Sequence, residues 1–216
     1  MLRRYTFVAF LVLFIAGCAG RGGLTLDPEV QALWAEQRAA AAAHGEWDMY
    51  ARAVLRRQGE AYNVAIRWQR EVDGRFMMML EAPFGQGVLR IDALESGIYR
   101  LRLPDGRAFE NTTAEALLDD VVGWSLPISG LESWVRGLPH AKADHSLLLD
   151  SSGRARSISQ DGWTIEYLDY FAAADGPALP RRLRLGSDVL SLQLVIERWR
   201  PAPADVTDAE LFPSFN

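Results

Sequence analysis

The feature that most limits how this chain can fold is a series of segments in which apolar and polar residues alternate. In one segment the alternate positions are Tyr62, Val64, Ile66 and Trp68, and similar segments recur as far as Ile196. A period of two residues is that of a strand with one buried face. Dipeptides such as Asp-Gly between the segments favour tight hairpin turns. The pattern therefore predicts an antiparallel meander of roughly ten strands rather than a βαβ fold.

Three helical segments accompany the predicted strands. Asp27 and Pro28 are typical of a helix start, and Gly45 is typical of its end. Thr112-Thr113-Ala114-Glu115 fits a capping box for a second helix, and Ser129-Gly130-Leu131-Glu132 predicts the start of a third. Because the second and third helices interrupt the strands, they predict a small helical lid.

The N-terminal residues indicate where the protein works. Two arginines precede an apolar run from Tyr5 to Ala16, which is too short to span a bilayer stably. This is the pattern of a secretory signal. The following Ile15-Ala16-Gly17-Cys18 resembles a bacterial lipobox, in which cleavage occurs before the cysteine and a diacylglycerol is attached to its thiol. We therefore predict a signal peptide over residues 1–17 and lipidation of Cys18.

Cys18 has no other cysteine with which to pair, since it is the only one in the chain. A disulfide and a second thiolate ligand for a metal are both excluded, which favours acylation. Each buried CH₂ group contributes about 0.8 kcal/mol, so two or three acyl chains hold a protein almost permanently. Ala19 stands where the usual inner-membrane retention signal has Asp. We expect a protein anchored by Cys18 in the outer membrane and facing the periplasm.

Length and composition favour one globular domain behind this anchor. The chain has 216 residues, of which 49% are hydrophobic. After removal of the signal peptide it has 21 basic and 28 acidic residues, a formal charge of −7 that gives no support to nucleic-acid binding. We predict a lipidated tether over residues 18–26, a single domain over 27–200 and a loosely held tail over 201–216.

One predicted hairpin has an unusual tip. Strand-like residues 76–81 and 88–91 flank a segment rich in Pro and Gly, in which Phe84 stands between Pro83 and Gly85. A large apolar residue is unusual where turns favour Asn, Asp or Ser. Two interpretations remain open: the tip folds back onto its own core, or it is an apolar finger that touches a membrane or lipid.

Signals for catalysis are weak. The only lysine, Lys142, does not belong to a P-loop, which argues against nucleotide hydrolysis. Ser125 lacks the second glycine and the preceding strand of a nucleophile elbow. The one candidate metal-ligand cluster, His140, Asp144 and His145, is better explained as a solvated loop. We expect no enzymatic activity, no cofactor and no metal.

The aromatic residues allow two interpretations. The chain has seven tryptophans, a high number for its length. Four of them, Trp68, Trp134, Trp163 and Trp199, fall on predicted strands or on the lid. They either build an ordinary core or, together with Phe76 and the methionines after it, line a pliable apolar cavity.

A set of motifs, individually weak, together resembles the LolB family of outer-membrane lipoprotein receptors. The resemblance covers nearly the whole mature chain. It implies a mainly β fold with some α, an incomplete antiparallel β-barrel with a helical lid that encloses an apolar cavity, as in LolA and LolB. The motifs are the lipobox, Trp34 in its helix, Trp68, Ala82-Pro83-Phe84-Gly85, Leu126-Pro127, Leu131, Trp134, Gly137-Leu138-Pro139, Gly153-Arg154, Gly162-Trp163, Tyr167 and Trp199.

The resemblance implies a transfer function without catalysis or ATP. A member of this family accepts acylated lipoproteins from the periplasmic carrier LolA and inserts them into the outer membrane. The implied partners are LolA, acylated cargo and outer-membrane phospholipid, and we expect a monomer that binds no nucleic acid. An alternative is a periplasmic lipoprotein of similar fold that binds another lipid or a glycolipid.

The resemblance also implies roles for particular residues. A single large apolar residue on a protruding loop delivers cargo to the membrane in this family, and the matching position is Phe84, with Pro83 and Gly85 beside it. The candidate cavity residues that contact acyl chains are Trp68, Phe76, Met78, Leu80, Trp134, Trp163 and Trp199.

Overall fold

The computed structural model describes residues 27–43, 45–81, 87–94, 97–141, 143–172 and 177–200. These residues form eleven strands, three α-helices and one π-helical turn. In chain order they are α1 (Pro28–Ala43), β1 (Trp47–Arg57), β2 (Glu60–Arg70), β3 (Phe76–Glu81), β4 (Val88–Ala93), β5 (Tyr99–Arg102), β6 (Ala108–Asn111), α2 (Ala114–Leu117), the π-helical turn (Leu118–Val122), α3 (Ile128–Trp134), β7 (His145–Leu149), β8 (Ala155–Gln160), β9 (Trp163–Tyr170), β10 (Pro180–Gly186) and β11 (Leu190–Arg200).

All eleven strands belong to one sheet, in the order β6-β5-β4-β3-β2-β1-β11-β10-β9-β8-β7. Every neighbouring pair is antiparallel, and β6 and β7 are the two edges. The segment with α2, the π-helical turn and α3 follows β6 and leads to β7, so it connects one edge to the other. The predicted mainly β, antiparallel fold is confirmed, with one more strand than expected.

The core lies on one face of this sheet, as the alternation predicted. In β1 the buried residues include Met49, Ala51, Ala53 and Leu55, and in β11 every second residue from Leu190 to Ile196 is buried. Residues between them are mostly half-buried or exposed. The sheet therefore has an apolar inner face, on which the lid packs, and a polar outer face.

Helix α1 begins as the sequence predicts, because Asp27 Oδ1 accepts a hydrogen bond of 3.0 Å from the backbone N–H of Glu29. It packs against the turn between β7 and β8. A Cβ atom added at Gly153 would lie 2.4 Å from Leu33 Cβ and 2.6 Å from Trp34 N, so only glycine allows this close approach.

The two lid helices are capped differently from the prediction. Thr113 Oγ1 accepts from the N–H of Ala116 at 3.2 Å, as an N-cap should. However, Glu115 does not complete a capping box, and Ser129 does not cap α3: Glu115 Oε1 instead accepts from the N–H of Ser129 at 2.8 Å. The carboxylate of one helix thus satisfies an N-terminal N–H of the next.

Several predictions concern residues outside the described ranges. These are the signal peptide, the tether with Cys18, the loop with Pro83, Phe84 and Gly85, and the tail over 201–216. Among the helices that the structure describes, none has both the length and the apolar character needed to span a membrane.

Candidate lipid-binding cavity

A wholly apolar cavity lies between the inner face of the sheet and the lid. Its walls come from the central strands β1, β2, β3 and β11 and from the segment between the π-helical turn and the end of α3. Sixteen side chains line it: Met49, Ala53, Leu55, Val64, Ile66, Trp68, Met78, Leu80, Leu118, Trp124, Leu126, Ile128, Leu131, Val135, Leu192 and Leu194. None of them is charged, so the site suits hydrocarbon.

The cavity is small. Its volume is about 40 Å³, far below the roughly 300–1,000 Å³ of sites that hold drug-sized ligands. An acyl chain therefore fits only if the space between the lid and the sheet widens. Met49 and Met78 in the wall have flexible side chains that can adapt to chains of different shape.

A larger groove on the outer face of β1, β2 and β11 has a different character. Its volume is about 630 Å³, and its lining includes Arg52, Glu81 and Glu197. Arg52 and Glu197 form an ion pair there. Charged walls open to solvent do not suit hydrocarbon, so the smaller apolar cavity is the better candidate for acyl chains.

The structure places the candidate cavity residues in two groups. Trp68, Met78 and Leu80 line the cavity. Phe76, Trp134 and Trp163 are buried in the surrounding core, and Trp199 packs half-buried against it. Contact of any of these seven side chains with an acyl chain stays a prediction.

A row of aromatic rings from five strands lies at one end of the strands that line the cavity. The rings belong to Trp199, Trp47, Trp68, Phe76 and Tyr99, and successive centroids are 5.5, 5.3, 5.8 and 5.8 Å apart. Mostly edge-to-face contacts at these distances stabilise the packing beyond the area buried. We call this the floor end of the strands, and the opposite end, at the Gln58–Gly59 turn, the rim end.

Polar contacts tie α3 to strands β2, β8 and β9 of the sheet. Trp134 Nε1 donates to Gln160 Oε1 at 3.0 Å, and the buried Tyr167 hydroxyl donates to the carbonyl of Trp134 at 2.9 Å. Burial raises the pKa of Tyr167 well above its ordinary value, so this hydroxyl keeps its proton. Arg70 on β2 forms an ion pair with Glu132 of α3. Helix α3 is therefore tied to the sheet.

The rim end is less tightly covered. Trp124 of the lid packs against Tyr62 of β2 with ring centroids 5.8 Å apart, and Tyr62 is 38% exposed. The Tyr62 hydroxyl donates to Glu60, and this bond raises the pKa of Tyr62. A Cβ atom built on Gly123 of the lid would lie 3.6 Å from Arg57 Nη1.

The weak catalytic signals do not come together. Ser125 Oγ donates to Asp119 Oδ1 at 2.6 Å and has no hydrogen bond to a histidine that the structure describes. His145 begins β7 and is exposed, as is Asp144. Within the described ranges there is no group of three or more His, Cys, Asp or Glu side chains able to hold a metal ion.

Comparison with known proteins identifies the family of this chain. The family model described as outer membrane lipoprotein LolB matches residues 45–199. The outer-membrane lipoprotein LolB of Pseudomonas savastanoi pv. phaseolicola is 34% identical over 206 residues, which cover 93% of this chain and 98% of that protein. The chain belongs to the LolB family. A second relative, the outer-membrane lipoprotein LolB of Stutzerimonas stutzeri, is 35% identical over 193 residues, or 88% of this chain and 92% of that protein.

Solved structures support the fold. A LolA superfamily protein from Nitrosomonas europaea superposes with a TM-score of 0.51 over 83% of this chain and 95% of that chain, at 8% sequence identity. Family and fold together confirm three predictions: the LolA/LolB-like architecture, the function of an outer-membrane lipoprotein receptor, and location at the outer membrane.

Proposed function

We propose that this protein takes acylated lipoproteins from the periplasmic carrier LolA into its apolar cavity and inserts them into the outer membrane, to which Cys18 anchors it. It acts as a monomer and without catalysis. The observation that carries the proposal is the wholly apolar cavity under a lid, in a chain of the LolB family.

Physical chemistry favours direct transfer from cavity to cavity. One acyl chain of about fifteen carbons is worth on the order of 12 kcal/mol when it is removed from water. Passing through water would therefore impose a barrier of tens of kcal/mol for two or three chains. A receiver that binds the chains more tightly than LolA does can draw them across without ATP.

The second half of the function requires contact with outer-membrane phospholipid. Strands β3 and β4 pair as far as Glu81 and Val88, at the rim end of the sheet. In the sequence, Phe84 lies between these two strand ends. We assign Phe84, flanked by Pro83 and Gly85, the role of the apolar finger that touches the bilayer and allows cargo to leave.

A transfer assay with purified LolA carrying a labelled lipoprotein tests both halves. The protein should remove cargo from LolA without ATP and deliver it to liposomes. Phe84→Glu should leave the first step intact and block delivery, because a carboxylate does not enter hydrocarbon. Phe84→Leu, which keeps an apolar side chain, is the matched control and should deliver cargo.

Two results would count against the proposal. Normal delivery by Phe84→Glu would remove the finger from the mechanism. If mass spectrometry of the purified protein found free phospholipid or glycolipid, and LolA kept its cargo, the protein would be a carrier of another lipid.

A further inference from the structure

The structure indicates the side from which an acyl chain enters. The aromatic row lies at the floor end, where the ion pair of Arg70 with Glu132 holds α3 to β2. At the rim end the cover consists of the half-buried Trp124 against the partly exposed Tyr62. The rim end is therefore the mouth, and the hydrocarbon tails of a cargo point from it toward the floor.

Arg57 is a charged side chain on the inner face at this mouth. The inward-facing positions of β1 run through Ala53 and Leu55, both in the cavity wall, and Arg57 follows in the same phase. Its side chain lies beside the lid at Gly123, and the residue is half-buried.

The guanidinium of Arg57 has no acceptor within the described part of the chain: no hydrogen bond or ion pair joins it to a described residue. Two other arginines on these strands do have acceptors: Arg52 pairs with Glu197, and Arg67 pairs with Asp48 at 3.1 Å. The nearby carboxylate of Glu60 accepts instead from the Tyr62 hydroxyl. Arg57 thus offers five N–H donors at the mouth of a cavity whose walls have no acceptor side chains.

A diacylglyceryl lipid has acceptors at the matching place. When its tails lie in the cavity, the ester carbonyls that join them to glycerol stop at the mouth. We propose that Arg57 donates hydrogen bonds to these ester carbonyl oxygens and so sets how deeply the chains of the cargo enter. The inference rests on the proposed function and adds to it the group that the mouth recognises.

Binding of two matched lipopeptides tests the assignment. One has a diacylglyceryl cysteine with two ester carbonyls; the other is its dialkyl ether analogue, which has equally long tails and no ester carbonyl. The mature chain carries Cys18→Ser, which removes the anchor and leaves every described residue unchanged. Fluorescence anisotropy below the critical micelle concentration gives Kd for each probe.

Arg57→Met keeps a long apolar stem and removes the donors. Its Kd for the diester should rise about tenfold, the usual loss for a hydrogen bond to a charged group, and its Kd for the ether should not change. The control Arg56→Met removes the neighbouring exposed arginine, which has no ion pair in the described structure, and should leave both Kd values unchanged. Thermal unfolding should be the same for all three proteins, since Arg57 stabilises no described contact.

Three results would overturn the inference. One is an unchanged affinity of Arg57→Met for the diester, and another is an equal loss for both probes. The third concerns phosphate: if phosphatidic acid binds more tightly than diacylglycerol and Arg57→Met abolishes that difference, the mouth recognises phosphate. If the Cys18→Ser protein with Arg57 intact binds neither lipopeptide, the proposed function itself fails.

Discussion

Replacing Gly153 with alanine should weaken the attachment of helix α1 to the barrel. Gly153 has φ of +68°, where a residue with a Cβ atom costs about 1–2 kcal/mol. The added Cβ atom would also lie 2.6 Å from Trp34 N and 2.7 Å from the carbonyl carbon of Leu33. These are backbone atoms of α1, so the clash is relieved only if the helix shifts, which costs about 1–3 kcal/mol more.

Gly162 is the matched control for the backbone conformation alone. It has φ of +75°, and no atom lies within 4 Å of an added Cβ atom. For a chain of this size 1 kcal/mol corresponds to about 2–4 °C in Tm, so Gly162→Ala should lower Tm by about 4 °C and Gly153→Ala by about 10 °C. Circular dichroism and urea unfolding measure both variants.

The difference between the two variants measures how much the contact with α1 contributes. If Gly153→Ala destabilises the protein no more than Gly162→Ala does, the helix is not held against this turn and the reasoning is refuted. If the difference appears, α1 is a fixed part of the barrel wall.

Two further predictions concern the lid and acid stability. Arg70→Met removes the ion pair with Glu132 and should lower the free energy of unfolding by about 1–2 kcal/mol. The same variant should bind a lipopeptide faster in stopped-flow measurements. Slower or unchanged association would show that α3 does not limit access to the cavity. Burial would raise the pKa of Asp150, but hydrogen bonds from Arg154 and Ser152 outweigh it and lower the pKa. The stability that Asp150 contributes is therefore present above the ordinary aspartate pKa, about 4, and is lost as pH falls through the lowered pKa. The Tm of Asp150→Asn should accordingly fall less steeply below about pH 4 than the Tm of the unchanged protein.

Much of the fold follows from local sequence patterns. Alternation and Asp-Gly turns predict the antiparallel strands, because one buried face and a two-residue turn leave few other arrangements. Helix capping was less predictable. Glu115 satisfies Ser129, which is 14 residues away in the chain, and a capping box assumes that the partner is on the same helix.

The cavity is harder to predict than the strands that form it. Trp47 and Trp68 are both buried on the inner face of adjacent strands, yet only Trp68 lines the cavity. Core and cavity wall require the same apolar side chains, so a sequence does not separate them. The sequence does mark Arg57, because a charged residue at an inward-facing position interrupts the apolar alternation of β1 after Leu55.

The order of the strands has a mechanical consequence. β6 and β7 are the two edges of the described sheet, and no ladder of hydrogen bonds joins them. The wall of the barrel thus has an open seam, bridged along the chain by the lid itself. If β6 and β7 move apart, the enclosed volume grows while every strand keeps its hydrogen-bonded neighbours. The cavity volume can therefore adjust to the cargo. A single acyl chain requires a small separation of the two edges, and two or three acyl chains require a larger one, without any part of the sheet unfolding.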